Sequence, residues 1–312
     1  METPLYSYYL NQLGNNDRPE FMEKYLETPC LKRLKKVAYF CGMNRASKNV
    51  YHFKEYITRY DHSLSVALLT WKLTHDKKTT IAGLFHDIGT PCFSHVIDYM
   101  NKDYANQEST EEYTEKIMRN DEYLLKYLKE DDIAVEDIIH FKQYSIVDNH
   151  RPRVCADRLD GVILTGISWT KDVEYHDIKN IIEDVTIFLN EEGKPEIGFS
   201  TLSVAKRVLD ISNRIDLYCH SNEDNYMMEL LADITRKAIT SRIVTYHELY
   251  TLNEDELFKR LKNSDNPEIL DSLVKFETIT MDQIPQTVVL NVKVRDLNPL
   301  VGGIRIKQSE KE

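Results

Sequence analysis

The stretch "RYDHSLSVALL", Arg59 to Leu69, sets a histidine inside a run that otherwise reads as a buried helix. Apolar residues at 64, 66, 67, 68, 69, 71 and 73 predict a mostly buried helix over Asp61–Leu73. "LFHDIGTPCFSH", Leu84 to His95, repeats the problem, with His86 followed at once by Asp87. A lone histidine on an apolar helix is more often a satisfied core residue than a ligand. Asp87 weighs the other way, because an aspartate in "AGLFHDIG" is expensive to bury without a cation or a hydrogen-bond network. Gly89 is expected to end that helix, which places the His-Asp pair at its last turn, where a cleft could open. "VCADRLDGVIL" adds Asp157 and Asp160, whose i, i+3 spacing puts both on one face of another apolar helix.

Two imidazoles with one or two carboxylates make a mixed nitrogen and oxygen set. It suits one divalent transition metal (Mn, Fe, Ni, Co or Zn) better than Ca, with Mg an expected companion of a phosphate substrate. An open site of this kind lowers the pKa of a bound water and polarises a phosphoryl oxygen. On these residues alone, a metal centre and a set of locally satisfied core residues remain alternatives.

Charge narrows the partners. The net charge is −11, which opposes binding to nucleic acid and to acidic membranes. The same bias repels a nucleotide, so an anionic substrate requires a local basic cluster. Arg151, Arg153 and Arg158 around Asp157 are candidates, since arginine presents a rigid fork to phosphate oxygens. No window approaches the apolar length of a membrane span, and "METPLYSYYLNQLG" does not read as a signal peptide. Five scattered cysteines without a CxxC pair predict reduced thiols and a cytoplasmic setting.

The chain reads as mainly α. Further helices are expected over 111–129, 131–142, 152–166, 201–220 and 223–245, with another starting at Asn253 as N-cap. "VTIFLNEEGKPEIGFS" reads as a β-hairpin near 184–200, and the valine-rich alternation of "QTVVLNVKVRDLNPLV" predicts a strand. The last residues, "IKQSEKE", are expected to fray.

The order His62, His86-Asp87, Asp157 resembles the H…HD…D signature of the HD-domain metal-dependent phosphohydrolases. "ETPCLKRLKKV", "RYDHSLSVA", "LFHDIGTPCFSH", "ADRLDG", "FSTLSVAKRVLDISNRIDLYCH" and "VKVRDLNPLV" resemble, in order, successive blocks of the deoxynucleoside triphosphate triphosphohydrolase branch. The resemblance implies a helical HD-domain fold, with a small β-hairpin and a short C-terminal β element. It implies one metal held by His62, His86, Asp87 and Asp157. In that branch a water or hydroxide attacks the α-phosphorus, releasing a deoxynucleoside and tripolyphosphate. By motif position, Arg59 and Arg158 would contact phosphates, and His95 with Asp98 would form the catalytic polar cluster. Tyr218 would line the nucleotide pocket. Independently of the family, His95 with Asp98 at i+3 is a carboxylate-oriented imidazole suited to proton transfer. We expect an HD-type helical domain over 1–250 and a C-terminal helix and strand extension over 251–312 packing on it. The resemblance also implies a homo-oligomer, dimer or tetramer.

Several family positions differ. Two further histidines of the branch are replaced by Thr90, in "HDIGT", and Gln107, in "ANQEST". A tyrosine after the third motif is replaced by Gly161, and Tyr39 or Phe40 stands where a sugar-reading residue is usual. Neither Thr nor Gln titrates near neutral pH. The expected function is hydrolysis of dNTPs. The alternatives are hydrolysis of another phosphate ester, such as a nucleoside monophosphate or cyclic nucleotide, or non-catalytic nucleotide sensing around a structural metal.

Overall fold

Thr58 and Asp61 start the helix that carries His62. The Thr58 hydroxyl accepts the Asp61 N–H, and Asp61 Oδ2 accepts the Thr58 N–H at 2.8 Å, a reciprocal capping box. The helix spans Arg59–Thr74 and ends on His75 in the left-handed region. Asp76 then caps the next helix, Lys77–Phe85, by accepting the Thr79 N–H at 2.7 Å. At ~1.5 Å per residue, His62 lies about 18 Å and His86 about 14 Å back from the shared turn. The antiparallel pair thus brings the two histidines level. The computed structural model of the protein describes residues 3–107, 109–286 and 290–306.

The second helix stops at Phe85, before the expected end at Gly89, and residues 86–89 form a turn that presents His86 and Asp87. Gly89 serves a different purpose from termination. A Cβ there would collide with Thr114 Oγ1, so the glycine permits close approach of the Thr114–Asn120 helix. The third motif lies on the helix Ala156–Ser168, packed across Arg59–Thr74.

The structure is mainly helical, with fifteen α-helices among the described residues. Leu202–Cys219 and Asn222–Thr240 match expectation closely, and Asn253 caps Glu254–Lys262 in a capping box with Glu256. The expected 111–129 helix is divided into Thr114–Asn120 and Glu122–Glu130. Asp121 separates them, its side chain accepting the Tyr123 and Leu124 N–H groups and starting a new helix. The 131–142 helix shortens to Val135–Ile139, followed by a 3₁₀ turn at Phe141–Gln143.

The hairpin forms from Val185–Leu189 and Pro195–Phe199, paired antiparallel. Gly198–Phe199 also pair in parallel with Leu300–Val301, which pair antiparallel with Ile304–Arg305, closing a four-stranded sheet. The long valine-rich strand is not present over 290–299. Lys293 donates its N–H to Tyr104 O, Arg295 to Asp216 Oδ1 and Asn298 to Pro152 O, so these donors are spread over three segments and build no ladder. Residues 287–289 and the tail from 307 lie outside the described residues.

Apolar side chains gather in two clusters. One joins the N-terminal helices, the His62 and Asp157 helices and the hairpin. The other joins Val96–Met100, Asn222–Thr240, Glu254–Lys262 and Pro267–Thr278. Side chains from both line one shared cavity. All five cysteines are free, and no described helix is long and apolar enough to cross a membrane.

Candidate metal centre and cavity

The four motif residues converge. His62 Nε2 lies 3.2 Å from His86 Nε2 and 3.1 Å from Asp157 Oδ1, and His86 Nε2 lies 3.5 Å from the same oxygen. The Asp87 carboxylate stands 3.8 Å from His62 Nε2 and 3.9 Å from His86 Nε2. Around a metal with ligands at ~2.1 Å, neighbouring donors are about 3–3.5 Å apart and opposite ones about 4.2 Å.

The outer nitrogens decide the fit. His62 Nδ1 is 2.6 Å from Asp160 Oδ2, and His86 Nδ1 is 2.8 Å from Gly83 O. Each Nδ1 therefore faces an acceptor and carries the proton, which leaves both Nε2 lone pairs facing each other and two carboxylates. Acceptors crowded in this way call for a cation. Charge responds accordingly. Burial pulls the His62 pKa down, but hydrogen bonds to Asp157 and Asp160 outweigh it and raise the pKa to about 10. Burial pushes Asp87 up, but Arg59 and the two imidazoles hold it well below the usual carboxylate range. For Asp157, burial is likewise overcome by hydrogen bonds to His62 and His86. The residues fit a divalent metal.

Asp160 is 0% exposed, and its other oxygen accepts the Tyr9 hydroxyl at 2.8 Å. The i, i+3 pair thus grips opposite nitrogens of His62. Asp157 holds the inner one and Asp160 the outer.

The centre forms part of the wall of a cavity of about 910 Å³, within the range of small-molecule sites. Arg59, Arg151, Arg158, Lys293 and Arg295 all line it. Arg59 Nη1 donates to Asp87 Oδ2 at 2.8 Å and Nε to Ser94 Oγ at 3.0 Å. Arg158 is drawn back, donating to Arg153 O at 3.0 Å, to Asp148 at 3.3 Å and to Asn149. Arg153 pairs with Glu192 at the rim. Burial, Arg295 and Arg158 lower the Arg151 pKa to about 10.

His95 and Asp98 are brought together as expected. His95 Nδ1 lies 2.9 Å from Asp98 Oδ2, while Asp98 Oδ1 accepts the Ser109 N–H at 3.0 Å. Burial lowers the His95 pKa below its ordinary 6.5, against the pull of Asp98. The imidazole is neutral at pH 7, with the Nε2 lone pair available in the cavity.

Tyr218 is placed differently. It is 42% exposed and edge-on to Trp169, with ring centroids 5.6 Å apart, while the adjacent Cys219 lines the cavity. Adjacent residues on a helix point about 100° apart, so only one of the pair faces inward. Thr90 is buried and its carbonyl accepts Arg33 at 2.7 Å. Gln107 Oε1 accepts Arg295 Nη2 at 3.3 Å.

Sequence reasoning missed Lys293 and Arg295 as cavity residues. The signal was the alternation itself. In extended backbone, residues two apart face the same way, whether or not a ladder forms.

Residues 59–162, from Arg59 through the Asp157 helix, match the family model described as HD domain. That stretch, about a third of the chain, is similar to HD domains. All four converging residues lie within the matched stretch, whereas Lys293 and Arg295 come from beyond it. The Bacillus subtilis protein described as "Uncharacterized protein YdhJ" is 25% identical over 228 residues, covering 70% of this chain. The match spans 65% of the Bacillus protein, just under two thirds of its length. The Cordyceps militaris protein described as "Metal-dependent phosphohydrolase cns2" is 22% identical over 254 residues, 78% of this chain and 70% of its own.

Proposed function

We propose that this protein is a metal-dependent phosphohydrolase acting on nucleotides, and that it splits dNTPs into deoxynucleoside and tripolyphosphate. The observation that carries the reading is the set of eight cationic side chains, Arg59, Arg151, Lys293 and Arg295 among them, that line the cavity holding the metal-fit cluster, in a chain of net charge −11. A general solvated surface of this charge repels polyphosphate, so the local reversal points to an anionic substrate. The HD domain and the similarity to a protein named as a metal-dependent phosphohydrolase support the same reading.

His62, His86, Asp87 and Asp157 would hold the metal. When bound, it supplies Lewis-acid polarisation of a phosphoryl oxygen and eases loss of a proton from water. Asp160 and Gly83 O keep the imidazoles turned inward. Arg151, Lys293 and Arg295 bind the polyphosphate, while Arg59 holds Asp87 in place. Neutral His95 accepts a proton from the attacking water at Nε2 and returns it to the leaving sugar oxygen as the phosphorus–oxygen bond breaks. The stacked Phe40 and Phe53 rings, 4.5 Å apart, with Trp169 beside them, form an apolar wall suited to a flat base.

A second reading rests on Thr90 and Gln107. With no titratable group at either position, the same centre would act on a nucleoside monophosphate or cyclic nucleotide. Phosphorus NMR of each dNTP and of nucleoside monophosphates, with Mn²⁺ and an Asp87→Ala control, separates the readings. Tripolyphosphate absent from the control is expected. Turnover of the other esters alone would favour the second reading. Silence from metal-loaded protein would overturn both and leave nucleotide sensing.

A further inference from the structure

Gly161 sits inside the Ala156–Ser168 helix, one turn beyond Asp157 and next to Asp160. Glycine is the poorest helix former after proline, so a mid-helix glycine beside a functional carboxylate calls for a reason. The surroundings supply one. A Cβ built on Gly161 would stand 3.0 Å from Tyr39 Oη, and no other atom beyond its own helix backbone and chain neighbours would lie within 4 Å. The space is kept open for one hydroxyl.

Tyr39 is held from several sides. Its ring centroid lies 5.0 Å from that of His62, and the Arg59 guanidinium caps it at 4.8 Å, while Arg59 itself is bonded to Asp87. Phe40 meets it edge-on at 5.2 Å. The backbone is anchored by Tyr39 N–H donating to Ile57 O at 3.0 Å and by the bridge between Ala38 and Thr58. The ring lines the cavity, and its hydroxyl makes no hydrogen bond among the described residues. A phenol, with an ordinary pKa of about 10, keeps its proton at pH 7. A fixed, neutral O–H donor thus stands beside the metal cluster with no acceptor among the described residues.

We propose that the Tyr39 hydroxyl donates a hydrogen bond to a phosphate oxygen of the substrate, and that Gly161 is small in order to admit that hydroxyl. The inference rests on the phosphohydrolase reading for its substrate class. It adds a substrate-touching residue and explains a glycine that local helix propensity disfavours. A donor preset in this way costs no reorganisation when charge grows on the phosphoryl oxygens.

The test is a double-mutant cycle on metal-loaded protein with Tyr39→Phe, Gly161→Ala and both together. Turnover is measured as kcat and KM. Affinity for inorganic tripolyphosphate is measured by calorimetry in parallel. Tyr39→Phe is expected to lower kcat/KM about tenfold to a hundredfold with metal content unchanged. Gly161→Ala should lower it in the same direction, by displacing the hydroxyl. In the Tyr39→Phe background it should cost nothing further, while raising the melting temperature. Additive losses, a Tyr39→Phe enzyme within twofold of wild type, or loss of metal from that variant would overturn the proposal and leave the phosphohydrolase reading standing. If wild type turns over no ester, that reading fails. Tripolyphosphate affinity then decides, with a loss of about fivefold or more in Tyr39→Phe supporting the contact and equal affinity overturning it.

Discussion

Asp160 Oδ2 stands 2.6 Å from His62 Nδ1, on the far side of the ring from Asp157, and fixes which nitrogen faces the metal centre. Asparagine at 160 could present its NH₂ to Nδ1 and favour the wrong tautomer. Asp160→Asn is expected to weaken metal affinity about 10–100-fold while leaving all four ligands in place. Competition titration with a chromophoric chelator measures this directly. Unchanged affinity would show that the tautomer is set elsewhere.

The His95 pKa lies below 6.5 through burial, with Arg59 and Arg295 adding to the effect and Asp98 opposing it. The neutral imidazole is therefore the form present at pH 7, and protonation on acidification removes the Nε2 acceptor. At saturating metal, kcat/KM is expected to fall on the acid side with a midpoint below 6.5. His95→Gln should abolish that limb and lower the plateau about 10²–10⁴-fold. A full pH–rate profile of both proteins provides the check. An acid limb that persists in His95→Gln would assign it to another group.

Glu254 links the Glu254–Lys262 helix to the site. It is 1% exposed, and Oε1 accepts the N–H groups of Ala38 at 3.1 Å and Phe93 at 3.3 Å, each close in sequence to a cavity-side residue. Burial raises its pKa to about 7 from 4.5, against those hydrogen bonds and Arg45. Between these values the folded chain holds a proton that the unfolded chain releases. The stability contribution is thus fully present below pH 4.5 and is lost as pH rises through about 7. Glu254→Gln, neutral throughout, should flatten this fall, which amounts to roughly 3 kcal/mol at ~1.4 kcal/mol per tenfold. Urea unfolding at pH 5 and pH 8 measures it. Parallel profiles for wild type and variant would contradict the assignment.

The convergence of His62, His86, Asp87 and Asp157 was legible because these residues violate their local setting. Charged and imidazole groups on apolar helices cost too much without a shared partner, and Asp157 with Asp160 announced one face by spacing alone. The hairpin and the Asn253 cap were legible from turn and capping chemistry. Other features depended on contacts that local patterns do not encode. Amphipathic periodicity runs straight through Asp121, where side-chain capping divides the helix. The contacts of Arg158 with Asp148 and Asn149 come from the loop before its helix, which the helix pattern does not encode. Gly89 and Gly161 are explained by Thr114 and Tyr39, each remote in sequence.

The most direct measurement is metal content by mass spectrometry after Mn²⁺ loading and dialysis, for wild type and for His62→Ala, His86→Ala, Asp87→Ala and Asp157→Ala. Four residues closing on a single ion predict about one equivalent per wild-type chain and near-zero content in each variant that keeps its helical circular dichroism. Wild-type protein that retains no metal, or folded variants that each keep a full equivalent, would contradict the assignment of these residues as the metal centre.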